Sequence, residues 1–455
     1  MKHGIQKIGG RLVHFDRWLQ TRTLFRALRA ALGIAYPIIL IVSYFDLIYA
    51  TCLTQNGFLN QIYRISEWLP LWTTWQNLFN LVQITVNGLI AVVIAFTTAN
   101  FMAREHRRDD LLAGILSAFA FLILNFNFAG VKSDAQGSVR SSPVSYFVYS
   151  NLGAQGIFLA IACGFTVGYI VSRFSRGSHT HMETETASHL LRRTHNIIRP
   201  FVIVIILATG ISYGISLVSP QGLTAVIYNW VAQLFSNPGH QLLNILGTSA
   251  LNNLLWTVGI IGPIAISGNS SIESIQNLEA ALRKGSTWNL PNPISFHTLS
   301  DAYANFGGAG MTLGLIIAIL LVSTNHNFRS IGKQSLLPGI FNLNEPILFG
   351  LPILFNPILL IPFILSPLAG ICLAWVGIKL QLMPPVAYPL PKTTPGILIG
   401  FMGTDGNWVA FLFSLLDLII SVLIYIPFVK LCNRAETDID IYEGVQNMVE
   451  RQRKE

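Results

Sequence analysis

Residues 78–102 contain no Asp, Glu, Lys or Arg, and the same holds for 111–131, 146–172 and 302–328. An apolar run of roughly 18 or more residues is long enough to cross a hydrocarbon core about 30 Å thick, so these runs dictate a membrane-spanning fold before any other feature is weighed. Two longer regions extend the pattern. From 200 to 272 His240 is the only acidic, basic or imidazole side chain, which leaves room for two or three crossings, and between 334 and 429 only Glu345, Lys379, Lys392, Asp405 and Asp417 carry formal charge. Together the runs predict about eight to ten spans. The chain of 455 residues is 52% hydrophobic and 11% charged, against about 25% charged in a soluble domain. It reads as an all-α polytopic membrane protein.

The formal net charge of +8 does not point to nucleic acid, because the basic residues sit at span ends, where the inner membrane surface selects them, and not on one folded face. Lys2, Lys7, Arg11, Arg17, Arg22, Arg26 and Arg29 precede the first span; "REHRRDD" (104–110) follows the second; Arg173, Arg176, Arg192 and Arg193 flank the loop after the fourth. These segments, the N-terminus included, are expected on the cytoplasmic side. The spacing before the first span suggests an amphipathic helix lying on the inner leaflet, without the small-residue cleavage site of a removable signal peptide. Cys52, Cys163, Cys372 and Cys432 have neither metal-ligand nor redox spacing and are read as packing residues. No metal or cofactor is implied.

Residues 1–193 read as regular spans joined by short charged loops, with Asp46 and Asn87 as polar intrusions facing neighbouring helices. The remainder, 194–435, breaks helical rules repeatedly, and 436–455 reads as a cytoplasmic tail. "VGIIGPIAISGNSS" (258–271) and "NFGGAGMTLG" (305–314) cluster glycines at the edges of apolar runs, and Pro338, Pro346, Pro352, Pro357, Pro362 and Pro367 recur every five to eight residues. Such prolines remove backbone hydrogen bonds and kink or break a helix. Irregular backbone at membrane depth is tolerated only where it is buried in protein or lines a cavity, and discontinuous helices there mark substrate sites. "MPPVAYPLPKTTPGILIGFMGTDGNW" (383–408) repeats the device, which predicts two re-entrant segments.

Within "GIFNLNEPILFGLPILFNPILLIPFIL" (339–365) the single charge is Glu345. A carboxylate at membrane depth costs several kcal/mol unless paired or hydrated and faces the bundle interior or a water-filled path. With the Asn344 amide beside it, Glu345 can hydrogen-bond the vicinal hydroxyls of a sugar; the other reading is a structural carboxylate that caps a broken helix or pairs with a lysine such as Lys392. Trp256, Trp288, Phe306 and Trp408 offer faces on which sugar rings stack. No HExxH or GxxxxGK[ST] motif supports a partner-free intramembrane enzyme or an ATP-driven pump.

The block "SLLPGIFNLNEPILFGLPILFNPILLIPFIL" closely resembles the signature of the membrane-embedded IIC components of the bacterial phosphoenolpyruvate-dependent sugar phosphotransferase system, in the lactose/cellobiose (diacetylchitobiose) family. "ANFGGAGMTLGL", "LGAQGIFLAIACG", "DDLLAGILSAFAFLIL" and "TTPGILIGFMGTDGNW" agree with it, so the resemblance covers about 109–430. It implies an elevator-type fold of about ten transmembrane helices with two re-entrant hairpins, dimerising through the N-terminal bundle. The activity implied is inward passage of a sugar, with a β-linked disaccharide expected, for phosphorylation by a separate IIB, itself supplied by IIA, in the bacterial cell membrane. The IIB phosphoryl-donor cysteine loop has no counterpart in this chain. Asn344, Glu345 and Pro346 match the family's Asn-Glu-Pro, and the expected substrate-binding set is Asn344, Glu345, Asn305, Trp256, Ile261 and Asp405. Two positions depart from the pattern. Ile261 replaces a histidine that lies close to the sugar in relatives, and Asp405 stands in "TDG" where relatives have Gly. "RALRAAL" (26–32) also lacks the family's Arg-Asp pair. The loss at 261 motivates a second reading, a IIC-like protein uncoupled from phosphotransfer that serves as uniporter, sensor or partner-binding protein.

Overall fold

Each of the four charge-free runs contributes a helix to the computed structural model, which describes residues 2–128, 146–175, 187–234, 241–262, 272–351 and 353–452. The only extended pairing among these residues is an isolated bridge between Phe126 and Phe147. Among the described residues six helical stretches are long and apolar enough to cross a membrane: Thr23–Tyr63, Trp72–Glu105, Ala154–Phe174, His195–Ser216, Pro357–Lys379 and Trp408–Thr437. Six is fewer than the eight to ten expected from hydropathy. The shortfall arises because other apolar runs fold as shorter pieces, Asp110–Leu124, Leu223–Leu234, Leu242–Thr257 and Thr312–Val322. Part of the glycine-rich 258–271 break, at 263–271, lies outside the described residues.

The first half is less regular than its sequence suggests. Thr23–Ile48 runs into a π-helical turn at Tyr49–Leu53, and a 3₁₀ turn at Asn87–Leu89 separates Trp72–Val86 from Ile90–Glu105. Ile90–Glu105 packs against Thr23–Ile48, Asp110–Leu124 and Ile157–Phe174. Small side chains permit this close approach: Ala91, Ala95, Ala99 and Ala103 recur every fourth residue on one face and are fully buried. The two arginines of "RALRAAL" find carboxylates on other helices. Arg26 is 2.6 Å from Glu105, and Arg29 pairs with Glu436.

The amphipathic Lys2–Gln20 helix packs on Trp408–Gln452 and Pro357–Lys379. Its Asp16 is buried, and Gln20 Nε2 donates to Asp16 Oδ2 at 2.5 Å. Burial raises the Asp16 carboxyl above its ordinary value, with the Gln20 hydrogen bond acting in the other direction. One face of this helix is thus covered by protein. One helix runs from Trp408 to Gln452 and so carries the chain past 436, where the tail was expected to begin.

Prolines in the second half break fewer helices than expected. Pro357 occupies the first turn of Pro357–Lys379, where no intrahelical donor is lost, and the helix continues through Pro362 and Pro367. Asn356 caps it, accepting from the Ile358 and Leu359 N–H groups at 2.9 and 3.1 Å. The real interruptions fall at glycines and asparagines. Gly307, Gly308 and Gly310 all have positive φ, and a Cβ at Gly310 would collide with the Phe363 ring. Gly310 is held at both ends of its peptide unit: its N–H donates to Asn253 Oδ1 at 3.0 Å, and its carbonyl accepts from Tyr425 Oη at 2.5 Å.

The largest apolar core is shared between the halves, joining Leu32, Ile94 and Phe121 to Ile316, Ile347 and Phe363. Replacing Tyr425→Phe leaves a buried carbonyl without its donor and is expected to cost about 1–3 kcal/mol. Thermal unfolding of the detergent-solubilised protein checks this; an unchanged midpoint would show that the Gly310 turn does not depend on that bond.

Candidate functional site

Three chain interruptions meet at one amide. Asn342 adopts φ 64, a left-handed conformation that asparagine tolerates better than most residues. Its Oδ1 accepts from the Gly307 N–H at 3.0 Å, while its Nδ2 donates to the Thr394 carbonyl at 2.7 Å and the Lys392 carbonyl at 3.2 Å. The glycine turn, the segment before the Asn-Glu-Pro motif and the "PKTTPG" segment are thereby fastened together. Asn344, 4% exposed, adds a weaker tie from Nδ2 to the Ala309 carbonyl at 3.4 Å. Glu345 then opens the short helix Glu345–Gly350, with Pro346 in its first turn where the missing N–H costs no hydrogen bond.

These interruptions enclose a cavity of about 310 Å³. Four of the six residues expected from the sequence line it: Asn344, Glu345, Asn305 and Trp256. Ile261 does not. It lines a narrow cavity of about 40 Å³ with Asp46 and Asn87, and Glu345 and Trp256 form walls of both cavities. The Ile261 N–H donates to Tyr228 Oη at 2.9 Å. Asp46, expected to face a neighbouring helix, accepts from Gln83 Nε2 at 2.5 Å and also faces the narrow cavity.

Asp405 lines neither cavity. It is an exposed residue at φ 62 in the turn that joins the Gly396–Gly403 and Trp408–Gln452 helices, so the tight reversal of the chain points its side chain outward. Of the other aromatic candidates, Phe306 is fully buried in a small apolar core, while Trp288 and Trp408 are exposed away from both cavities. Lys392, considered as a partner for Glu345, lines the larger cavity with it.

Several lining residues gave no clear signal in the sequence. Asn252, His297, Asp301 and Tyr388 all reach the larger cavity. The adjacent amides Asn252 and Asn253 in an apolar helix, and a histidine four residues before an aspartate, were the patterns that could have marked them. The arrangement mixes amide, imidazole, carboxylate, indole and ammonium groups around a sheltered volume, which suits a neutral, polyhydroxylated ligand. Among the described residues no three His, Cys, Asp or Glu side chains form a metal-ligand group.

Long apolar helices around a polar cavity made from interrupted helices define a polytopic membrane protein of the transporter class. The family can be stated as well: residues 30–367 match the model of the phosphotransferase system EIIC family, and the chain belongs to it, within the lactose/cellobiose/chitobiose group. It is therefore a sugar permease subunit of a family whose members work with IIA and IIB components. It is similar to the oligo-beta-mannoside-specific EIIC component of Bacillus subtilis (strain 168), with 26% identity over 98% of each chain. It is also similar to the cellobiose-specific EIIC component of Lactococcus lactis subsp. lactis (strain IL1403), with 27% identity over 82% of this chain and 83% of that one. Among solved structures, the transporter ChbC, the IIC component from the N,N'-diacetylchitobiose-specific phosphotransferase system, aligns over 93% of this chain and 96% of its own at 22% identity, with a TM-score of 0.42.

The position of Ile261 yields a direct test. An imidazole there would enter a cavity whose polar groups include Asp46 and Glu345, with carboxylates available as partners. Ile261→His is expected to raise IIB-dependent sugar phosphorylation and to give it a new dependence between about pH 5 and 8. Lower or unchanged phosphorylation together with a lower unfolding temperature would instead mark a pocket rebuilt around apolar contacts.

Proposed function

We propose that the chain carries a β-linked disaccharide inward across the bacterial cell membrane and presents it for phosphorylation by IIB. Glu345 accepts hydrogen bonds from the sugar hydroxyls, Asn344 and Asn305 supply amide contacts, and Trp256 gives the ring a stacking face. One observation carries this reading: Glu345 stands in the wall of a sheltered polar cavity formed by interrupted helices. The substrate class rests on the relatives, whose names specify oligo-beta-mannosides and cellobiose.

In this reading the N-terminus is cytoplasmic, residues 1–193 form the dimerising scaffold, and 194–435 form the sugar-carrying part of an elevator-type fold of about ten transmembrane helices with two re-entrant hairpins. The segments around the Asn-Glu-Pro motif and "PKTTPG" are the re-entrant candidates. Asp405 takes no part in sugar binding. The absence of an imidazole at 261 favours one other reading, a IIC-like protein that moves or senses sugar without phosphotransfer. Uptake of labelled disaccharides and monosaccharides into vesicles, with and without IIA and IIB, separates the two.

Glu345→Gln is expected to weaken sugar binding roughly ten- to a hundred-fold, the loss of one charge-assisted hydrogen bond worth about 1.5–3 kcal/mol. The variant should remain folded, and equilibrium binding checks the effect; normal affinity would make Glu345 structural. Single cysteines at Leu111, Ile115 and Phe119, an exposed stripe on the Asp110–Leu124 helix, are expected to crosslink copies of the chain. Trapping only through cysteines placed in 194–435 would reverse the assigned roles.

A further inference from the structure

His297 and Asp301 begin and end a single π-helical turn, His297–Asp301, that contributes to the wall of the larger cavity. Turns of this kind are rare and recur at functional sites. The His297 side chain is 7% exposed, and its Nδ1 lies 3.3 Å from Asp301 Oδ2. An ionised carboxylate can only accept, so a neutral imidazole bonded to it carries its proton on Nδ1 and presents Nε2 as an acceptor. Nε2 is buried and has no hydrogen-bond partner within the protein.

Two more residues that line this cavity carry a buried polar atom in that condition, Asn252 at Oδ1 and Trp256 at Nε1. Buried polar groups are almost always hydrogen-bonded, and one left alone costs stability. Residues that line one cavity thus carry two acceptors and one donor without partners, the complement of a polyhydroxyl ligand, whose O–H groups would donate to His297 Nε2 and Asn252 Oδ1 while an oxygen would accept from Trp256 Nε1.

We propose that His297, oriented by Asp301, is a specificity-determining residue that accepts a hydrogen bond from one hydroxyl of the transported sugar, with Asn252 and Trp256 completing that recognition surface. The proposal rests on the cavity being the sugar site and adds the contacts made beyond Glu345. Asp301 is a positioning residue: by fixing the Nδ1–H tautomer it keeps Nε2 an acceptor and selects a hydroxyl over a group that cannot donate.

The test is binding of cellobiose, lactose and β-mannobiose to the purified full-length protein, followed by the monodeoxy derivatives of whichever disaccharide binds. In the unmodified protein one derivative is expected to bind about tenfold more weakly than its parent, and His297→Ala to weaken the parent by a similar factor while abolishing discrimination against that one derivative. His297→Gln, which retains a carbonyl acceptor, should recover part of both. Asp301→Asn should shrink the same discrimination without touching the others. Full discrimination in the His297 and Asp301 variants, with binding lost in Glu345→Gln, overturns this proposal and leaves the cavity as the sugar site. Normal binding by Glu345→Gln, or no binding of any of the three disaccharides to the unmodified protein, overturns both.

Discussion

A helix broken inside a hydrocarbon layer exposes N–H and C=O groups that lipid cannot satisfy, each at a cost of several kcal/mol. Neutral side chains meet that constraint here. Asn342 bonds the glycine turn and the "PKTTPG" segment, Asn253 takes the Gly310 N–H, and Tyr425 donates to the Gly310 carbonyl. Charged partners could form similar bonds, but desolvating them would often outweigh what they return. Because each amide both donates and accepts, a single asparagine can bridge segments more than 30 residues apart without leaving a charge behind. Asn342 is the clearest case, since removing its side chain would leave three segments without a common fastening.

The cavity is a consequence of those bonds. Once the interruptions are held together, the residues that follow them cannot fill the space between, and Glu345, Asn344 and Asn305 face it. Glu345 and Trp256 separate the larger polar cavity from the narrow one that Asp46 enters from the Thr23–Ile48 helix. The Glu345–Gly350 helix packs directly on Thr23–Ile48, and the main core crosses between the halves. In this EIIC-family protein the motif glutamate is therefore mechanically tied to the first half as well as to the cavity, so any rearrangement that moves it must also repack that apolar contact.

At the charged end of the bundle ionic ties join three helices. Arg26 and Arg29 reach Glu105 and Glu436. These pairs join the base of Thr23–Ile48 to Ile90–Glu105 and to the long C-terminal helix. Partly exposed pairs of this kind contribute little stability individually, but their geometry defines how the three helices align.

Hydropathy alone was sufficient for the membrane class, the helical character and the presence of interruptions in the second half, because the cost of a charge or a broken backbone in hydrocarbon is large and local. Glu345, Asn344, Asn305 and Trp256, expected from the motif and from their polar or amphipathic character beside apolar runs, come together in the wall of one cavity. His297 and Asp301 lie after a polar stretch where one more polar residue carries no signal, and Asn252 and Asn342 resemble ordinary loop or helix amides until their distant partners are known. Asp405 and Ile261 were marked by motif position, and the backbone turns the first outward and places the second at the narrow cavity shared with Asp46 and Glu345. Pro362 and Pro367, strong local breakers, were absorbed into a continuous helix. Solvent preference is set residue by residue along the chain, whereas a site requires segments far apart in sequence to meet, and that meeting depends on packing and on hydrogen bonds such as those of Asn342 that no local pattern contains.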